Sequence, residues 1–343
     1  MVEFGSDFHR CDENYHSIHN YLRQISSDLR FYANGRLIFD ELIKQEGWKR
    51  IWIPAYFCYE VIGHIKSSGI DVILYDDHPL NIDFSKTVRS LPYEDGDVLL
   101  RMNYFGLRNF DNNIGIPVPV IEDHTHSLTS EYALNSTADW CVCSIRKTIP
   151  IAAGGLLWSP TKKRLPNQLP SSAECETMST IRYAAMGIKA DFLKYGGDKS
   201  TFRSKYLLSE EMIDSIGLCG MDSQSYRILQ SFDVEKWTEN KDRNWNVAFE
   251  LLKHNFHILP PTDFSQHPFS LIILCESSED RNQFKSYLVS HSIYPAILWN
   301  VPEDSLFKNA LEFSQRMLSI HCDPRYDIED IKYMCRIINS YYD

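Results

Sequence analysis

The strongest constraint on this chain is a rhythm: apolar runs at Arg50–Pro54, Asp71–Tyr75, Asp97–Met102, Val118–Glu122 and Asp139–Cys143 alternate with stretches of helical spacing. Short strands separated by helices predict a largely parallel sheet covered on its faces, since a chain needs a long crossover to re-enter a sheet in the same direction. Phe31–Lys44 carries apolar residues at helical spacing behind Asn34-Gly35, so a helix is expected to begin near Arg36, and Tyr59–Ser68 reads as another. Ligands collect at the carboxyl ends of strands in such sheets. Tyr56, Asn103, Asp123 and Ser144 each fall just past a predicted strand and are expected to converge.

The chain has 343 residues, more than one small core usually organises. We read a large α/β domain over 1–235 and a smaller α+β domain over 236–343, with residues 1–30 expected to pack on the smaller one. The smaller domain is predicted from a helix at Trp237–Leu252, a strand at Phe269–Cys275, a helix at Asp280–His291, strands at Ala296–Trp299 and Met317–His321, and a final helix at Ile328–Tyr341. Lys162–Ser204 shows little periodicity and is expected to be an irregular excursion near the site or a dimer interface. No internal repeat or low-complexity segment interrupts this plan.

A formal charge of -11 argues against a nucleic-acid partner or an anionic-membrane surface, while leaving room for a small basic pocket. The nine cysteines are scattered without a CxxC pair and read as reduced, buried thiols. No window approaches the length of a membrane span, and the amino end lacks a basic start before an apolar run. A soluble cytoplasmic protein is expected.

The chemistry concentrates in Glu122-Asp123-His124-Thr125-His126, followed by Ser144-Ile145-Arg146-Lys147 and Gly154-Gly155. An aldehyde cofactor needs a lysine amine to hold it as a Schiff base and a carboxylate to keep its ring nitrogen protonated. Lys147 and Asp123 suit those two roles; the competing accounts are a solvated surface lysine and a turn or helix-capping aspartate. A metal cluster of Glu122, Asp123, His124 and His126 is disfavoured, because adjacent residues at a strand end point apart. We therefore expect no metal.

The ordered set Asn34-Gly35-Arg36, Pro54-Ala55-Tyr56-Phe57-Cys58, Glu122 to Ser127, Ser144 to Lys147 and Gly154-Gly155-Leu156 resembles the DegT/DnrJ/StrS-type sugar aminotransferases. Asp242 to Trp245 and Leu318 to Tyr326 resemble that family's later segments, so the likeness covers most of the chain. The resemblance implies a fold-type-I homodimer with a mostly parallel, seven-stranded-type sheet, bound pyridoxal 5'-phosphate, and transfer of an amino group from glutamate or a similar amino acid to a keto-sugar nucleotide. It implies that Lys147 carries the cofactor and moves the substrate proton, that Asp123 pairs with the ring nitrogen, and that His126 bonds the cofactor's phenolic oxygen. Tyr56 would stack on the ring, with plain packing as the alternative. Asn34, Gly35, Arg36 and Ser144 would hold the phosphate, with an Arg36–Asp40 ion pair competing.

Two departures stand out. Ala152-Ala153 replaces an acidic residue before the glycine pair, and the loop expected to reach the partner's site has only Gly220–Arg227 as a counterpart. Retention of Lys147 favours a transaminase over relatives that put histidine there. A pyridoxal phosphate enzyme of another type, such as a dehydratase, and a catalytically silent scaffold remain as alternatives. Trp299, Arg325 and Tyr326 can face substrate or simply hold structure.

Overall fold

The computed structural model describes residues 3–11, 21–108, 115–262 and 267–341. The short strand β1 (Phe4–Gly5) stands apart from β2 (Arg30–Tyr32), β3 (Arg50–Pro54), β4 (Asp71–Tyr75), β5 (Asp97–Met102), β6 (Val120–Asp123), β7 (Trp140–Cys143) and β8 (Gly155–Trp158). The last seven form one sheet in the order β2-β8-β7-β6-β5-β3-β4. From β7 through β4 every pairing is parallel, while β8 runs antiparallel to both β7 and β2. The expected mostly parallel α/β architecture is what the chain adopts.

Helix α1 (Leu22–Ile25) precedes the sheet, and α2 (Arg36–Glu46), α3 (Tyr59–Ser67), α4 (Phe84–Arg89) and α5 (Glu131–Leu134) lie between its strands. Then come α6 (Ala173–Tyr195), α7 (Ser200–Ser215), α8 (Ser223–Ser231) and α9 (Val234–Leu252). The carboxyl-terminal part holds β9 (His257–Ile258), β10 (Leu271–Leu274), α10 (Ser278–Ser290), β11 (Ile293–Tyr294), α11 (Lys308–Arg316), β12 (Met317–Ile320) and α12 (Ile328–Asn339). There β12, β10 and β9 make an antiparallel sheet. The amino-terminal β1 pairs with β11 of this carboxyl-terminal part, and Gly5 N donates to the Tyr326 hydroxyl at 2.8 Å. Residues 12–20 of the expected amino-terminal segment lie outside the described ones.

Strands β5, β6 and β7 are buried end to end, because core clusters lie against both faces of the sheet. The amino-terminal ends of β3 and β5 are tied together by charge. Arg50 grips Asp97 with two hydrogen bonds of 2.7 and 2.8 Å, while the Trp52 indole and Glu94 N also donate to that carboxylate. Burial pushes the Asp97 carboxyl up, but these donors outweigh it and bring it down to about 2.

The structure departs from the sequence reading in two places. Lys162–Ser204 contains all of α6 and the start of α7 instead of an irregular excursion. The buried stripe of α6 includes Ser179, Arg182 and Lys189, so its helical period is invisible to an apolar count. Arg182 pairs with Asp7 at 3.0 Å and with Glu210, while Lys189 donates to Asp7 O at 2.6 Å. The expected strand at Ala296–Trp299 is reduced to one bridge between Ala296 and Ser319. Leu298 N donates to the Met317 thioether there, and the ladder ends.

Asp97→Asn is expected to lower stability by about 1–3 kcal/mol at pH 7, the worth of hydrogen bonds to a charged group. The depressed carboxyl stabilises the fold above its ordinary value of 3.8 and loses that contribution as pH falls through about 2. Urea midpoints of the two proteins should therefore differ at pH 7 and converge toward pH 2.

Candidate active site

Side-chain alternation along β6 sorts two neighbouring carboxylates onto opposite faces. Glu122 stands in register with Arg101 and Cys141, whereas Asp123 stands with Met102 and Val142. On the first face Glu122 meets Arg101 at 3.3 Å and His124 at 3.2 Å and accepts a 2.6 Å hydrogen bond from Ser136. Burial pushes its carboxyl up, yet Arg101, His124 and Ser136 outweigh that and bring it to about 2. Donor atoms of Glu122, His124 and Cys141 lie within 4.8 Å of one another, a convergence the sequence reading missed. The carboxylate is already engaged, and burial holds the Cys141 thiol in its protonated form. The cluster reads as an ion-pair network.

On the other face Asp123 lines a cavity of about 300 Å³ at the carboxyl ends of β6 and β7. The cavity draws Asn34, Gly35 and Arg36 from the start of α2, Thr125 from beyond β6, and Ser144, Arg146 and Lys147 from beyond β7. Asn34 Oδ1 caps α2 by accepting from Arg36 N at 3.0 Å and Leu37 N at 3.3 Å. A Cβ on Gly35 would lie 3.3 Å from that of Ser144, and one on Gly155 would lie 2.4 Å from Asn34 O. The two glycines thus let the helix entrance lie against the Ser144 turn.

Asp123 is buried, and its carboxyl is pushed up by that burial despite the 2.8 Å hydrogen bond from Thr125 N and the charge of Lys147. At the opposite end sit two cations. Arg146 makes a two-pronged pair with Glu210 at 3.0 and 3.3 Å, and Arg36 pairs with Asp214 at 2.6 Å. Asp40, which the competing account paired with Arg36, is taken by His64 at 2.9 Å. The Ser144 hydroxyl makes no hydrogen bond among the described residues, and the buried Nε of Arg146 has none.

Two expected residues lie elsewhere. Tyr56 is fully buried and sits edge-on to Phe313 at 4.9 Å and Tyr104 at 5.7 Å, so its place among cavity-lining aromatics is taken by Phe57 and Trp299. His126 faces an adjoining cavity that Lys147 shares. Its ring stacks on Trp299 at 5.2 Å and on Phe105 at 5.0 Å. Phe105 N donates to Nδ1, and burial with the nearby Lys147 charge keeps the ring neutral. Phe105 itself has a positive φ of 55°, a strained backbone beside the cavity.

Sequence reasoning overlooked Thr125 and Arg146, although both sit inside the motifs it quoted. Glu210 and Asp214 carried no local signal, since only the return of α7 over the sheet brings them here. Of the residues left aside, Trp299 enters the cavity wall, whereas Arg325 is bound to Asp323 and Tyr326 to Gly5.

No protein-family model matches the sequence, nor does any curated protein. Solved structures do match. An aminotransferase of Helicobacter pylori covers 99% of this chain and 99% of its own length with a TM-score of 0.64 at 12% identity. A putative sugar aminotransferase of Streptococcus pneumoniae in its PLP form covers 93% of this chain and 88% of its own, with a TM-score of 0.63 at 12% identity. The chain has the fold of the type-I aminotransferases. A DegT DnrJ EryC1 StrS aminotransferase of Brucella abortus shares that fold at a TM-score of 0.59 and 14% identity, covering 96% of this chain and 92% of its own.

Asp123→Asn is expected to raise the melting temperature of the ligand-free protein at pH 7 by a few degrees. A carboxyl whose folded pKa is raised destabilises the fold once it must ionise, so the gain should fade as pH falls through 4. A melting series from pH 7 to 4 that shows a constant or negative difference would contradict this account of the cavity floor.

Proposed function

We propose that the protein is a pyridoxal phosphate-dependent aminotransferase that moves an amino group from an amino acid, glutamate or a similar donor, to a keto-sugar or related carbonyl acceptor linked to a nucleotide. The observation that carries this reading is the placement of Asp123 and Lys147 on one cavity at adjacent strand ends, in a fold whose neighbours bind this cofactor. The residues fit the group. A buried carboxylate with no ion pair among the described residues suits a protonated ring nitrogen, and the Ser144 hydroxyl and Arg146 Nε, which meet no partner among those residues, suit a phosphate.

When bound, the cofactor supplies an electron sink that stabilises negative charge on the substrate carbon. Asp123 keeps the proton on the ring nitrogen, and Thr125 N fixes the carboxylate's orientation. Lys147 would hold the cofactor through its amine and would move the proton at the reacting carbon. Gly35, Arg36, Ser144 and Arg146 hold the phosphate at the helix entrance, where exposed amides and cations favour an anion. Trp299 and Phe57 shield the ring from water. Neutral His126 stacks on Trp299 and supports it in the cavity wall.

A homodimer belongs to the same proposal. Tyr195, Leu207 and Leu208 stand exposed on α6 and α7, and large apolar side chains on a surface support an interface there.

Adding pyridoxal phosphate should turn the protein yellow, and borohydride should then fix the cofactor on the peptide bearing Lys147. Lys147→Ala should take no label and should lower transamination by about 10²–10⁴-fold or more, the scale of a lost acid–base group. A label found on another lysine would sink the assignment.

A further inference from the structure

Lys147 borders two cavities, and only one is accounted for by a cofactor. The second encloses about 40 Å³ and is lined by Lys241, His126, His321 and Asp323 among others, with Phe8 closing one side. That is room for about three waters, the space of a carboxylate group. Its charges do not cancel. Asp323 is spent on Arg325, which donates to both carboxylate oxygens at 2.8 Å. Burial holds His321 down to about 4 and keeps His126 neutral. Asp242, next to Lys241 in the chain, is turned to His267 Nδ1 at 2.5 Å.

With Lys147 given to the cofactor, Lys241 is left as the cation of this cavity. Its ammonium carries three N–H donors, and one of them reaches His267 O at 3.1 Å. The other two meet no acceptor among the described residues. Burial disfavours its charge, and Asp242 and Asp323 only partly offset that. Such a group gains most from an anion brought within reach.

We propose that the second cavity seats the carboxylate of the amino donor, with Lys241 as its anchor. This rests on the reading that Lys147 holds the cofactor, because the donor's amine must reach Lys147 while its acid group finds a cation nearby. A carboxylate on Lys241 places an α-amino acid across the boundary between the two cavities, amine toward Lys147. The seat also selects against donors that lack an acid group.

Calorimetric titration of the pyridoxal phosphate-loaded protein with glutarate tests the seat, since this dicarboxylate has no amine and cannot react. Lys241→Gln removes the charge and keeps a donor for His267 O; it should weaken glutarate about ten-fold or more, while Lys241→Arg should stay within about three-fold of the native protein. Cofactor uptake, followed by its visible band, should be unchanged in both variants, and the KM for glutamate should rise in Lys241→Gln more than kcat falls. Glutarate bound equally well by native protein and Lys241→Gln would overturn the proposal, as would no binding to native protein. A native protein that takes up no pyridoxal phosphate would instead remove the proposed function. The same glutarate titration on ligand-free protein would then still decide for or against the anion seat at Lys241.

Discussion

Burying two consecutive carboxylates in the middle strand of a covered sheet is the constraint around which the rest of this molecule is arranged. Each ion taken from water carries a desolvation cost of several kcal/mol unless it is met by charge or hydrogen bonds. The sheet meets Glu122 fully, with Arg101 in register on β5, His124 beyond the strand and Ser136 before β7. It meets Asp123 only partly, with Thr125 N and the charge of a lysine one strand away. The difference between the two faces is the difference between architecture and site. One carboxylate is satisfied and rigid; the other is held in a state that a bound cation would relieve.

The surroundings of Asp123 follow from strand order. In a parallel run the carboxyl ends of β6 and β7 lie side by side, so the turns carrying Thr125 and Ser144–Lys147 share one edge. The antiparallel β8 then returns past α2, and Gly155 lets the Asn34 carbonyl come close enough for the helix entrance to complete the cavity. Helix α7 closes the arrangement from outside by offering Glu210 and Asp214 to the two arginines. Neighbours at 12% identity keep this order of elements, so pattern and topology survive where individual residues do not.

Much of this was legible in the chain because β3, β4 and β5 are apolar runs with sharp ends, and their boundaries were read to the residue. Asp123, Ser144 and Lys147 were legible as residues that follow such runs. Other features were not, for separate physical reasons. Helix α6 buries Arg182 and Lys189 in its inward stripe, and a polar core stripe looks like no stripe. Tyr56 follows a strand as a ligand-stacking residue would, but Phe57 next to it takes the cavity and Tyr56 fills the core. A one-residue choice between inside and cavity is set by the local turn, which composition does not encode. Glu210, Asp214 and Lys241 reach their cavities only through long-range packing of α7 and α9.

The amino-terminal segment carries a mechanical implication. Residues 4–10 cross from β11 to α6, and along the way Arg325 and Lys189 both bind the Asp7 carbonyl, Tyr206 binds that of Phe8, and Arg10 N binds that of Met186. A strap fastened at so many points transmits force. Any swing of the carboxyl-terminal part relative to the sheet must drag α6 along or strip a buried lysine of its carbonyl. Such a joint behaves less like a free hinge than like a tether, and it carries Phe8 on the wall of the smaller cavity.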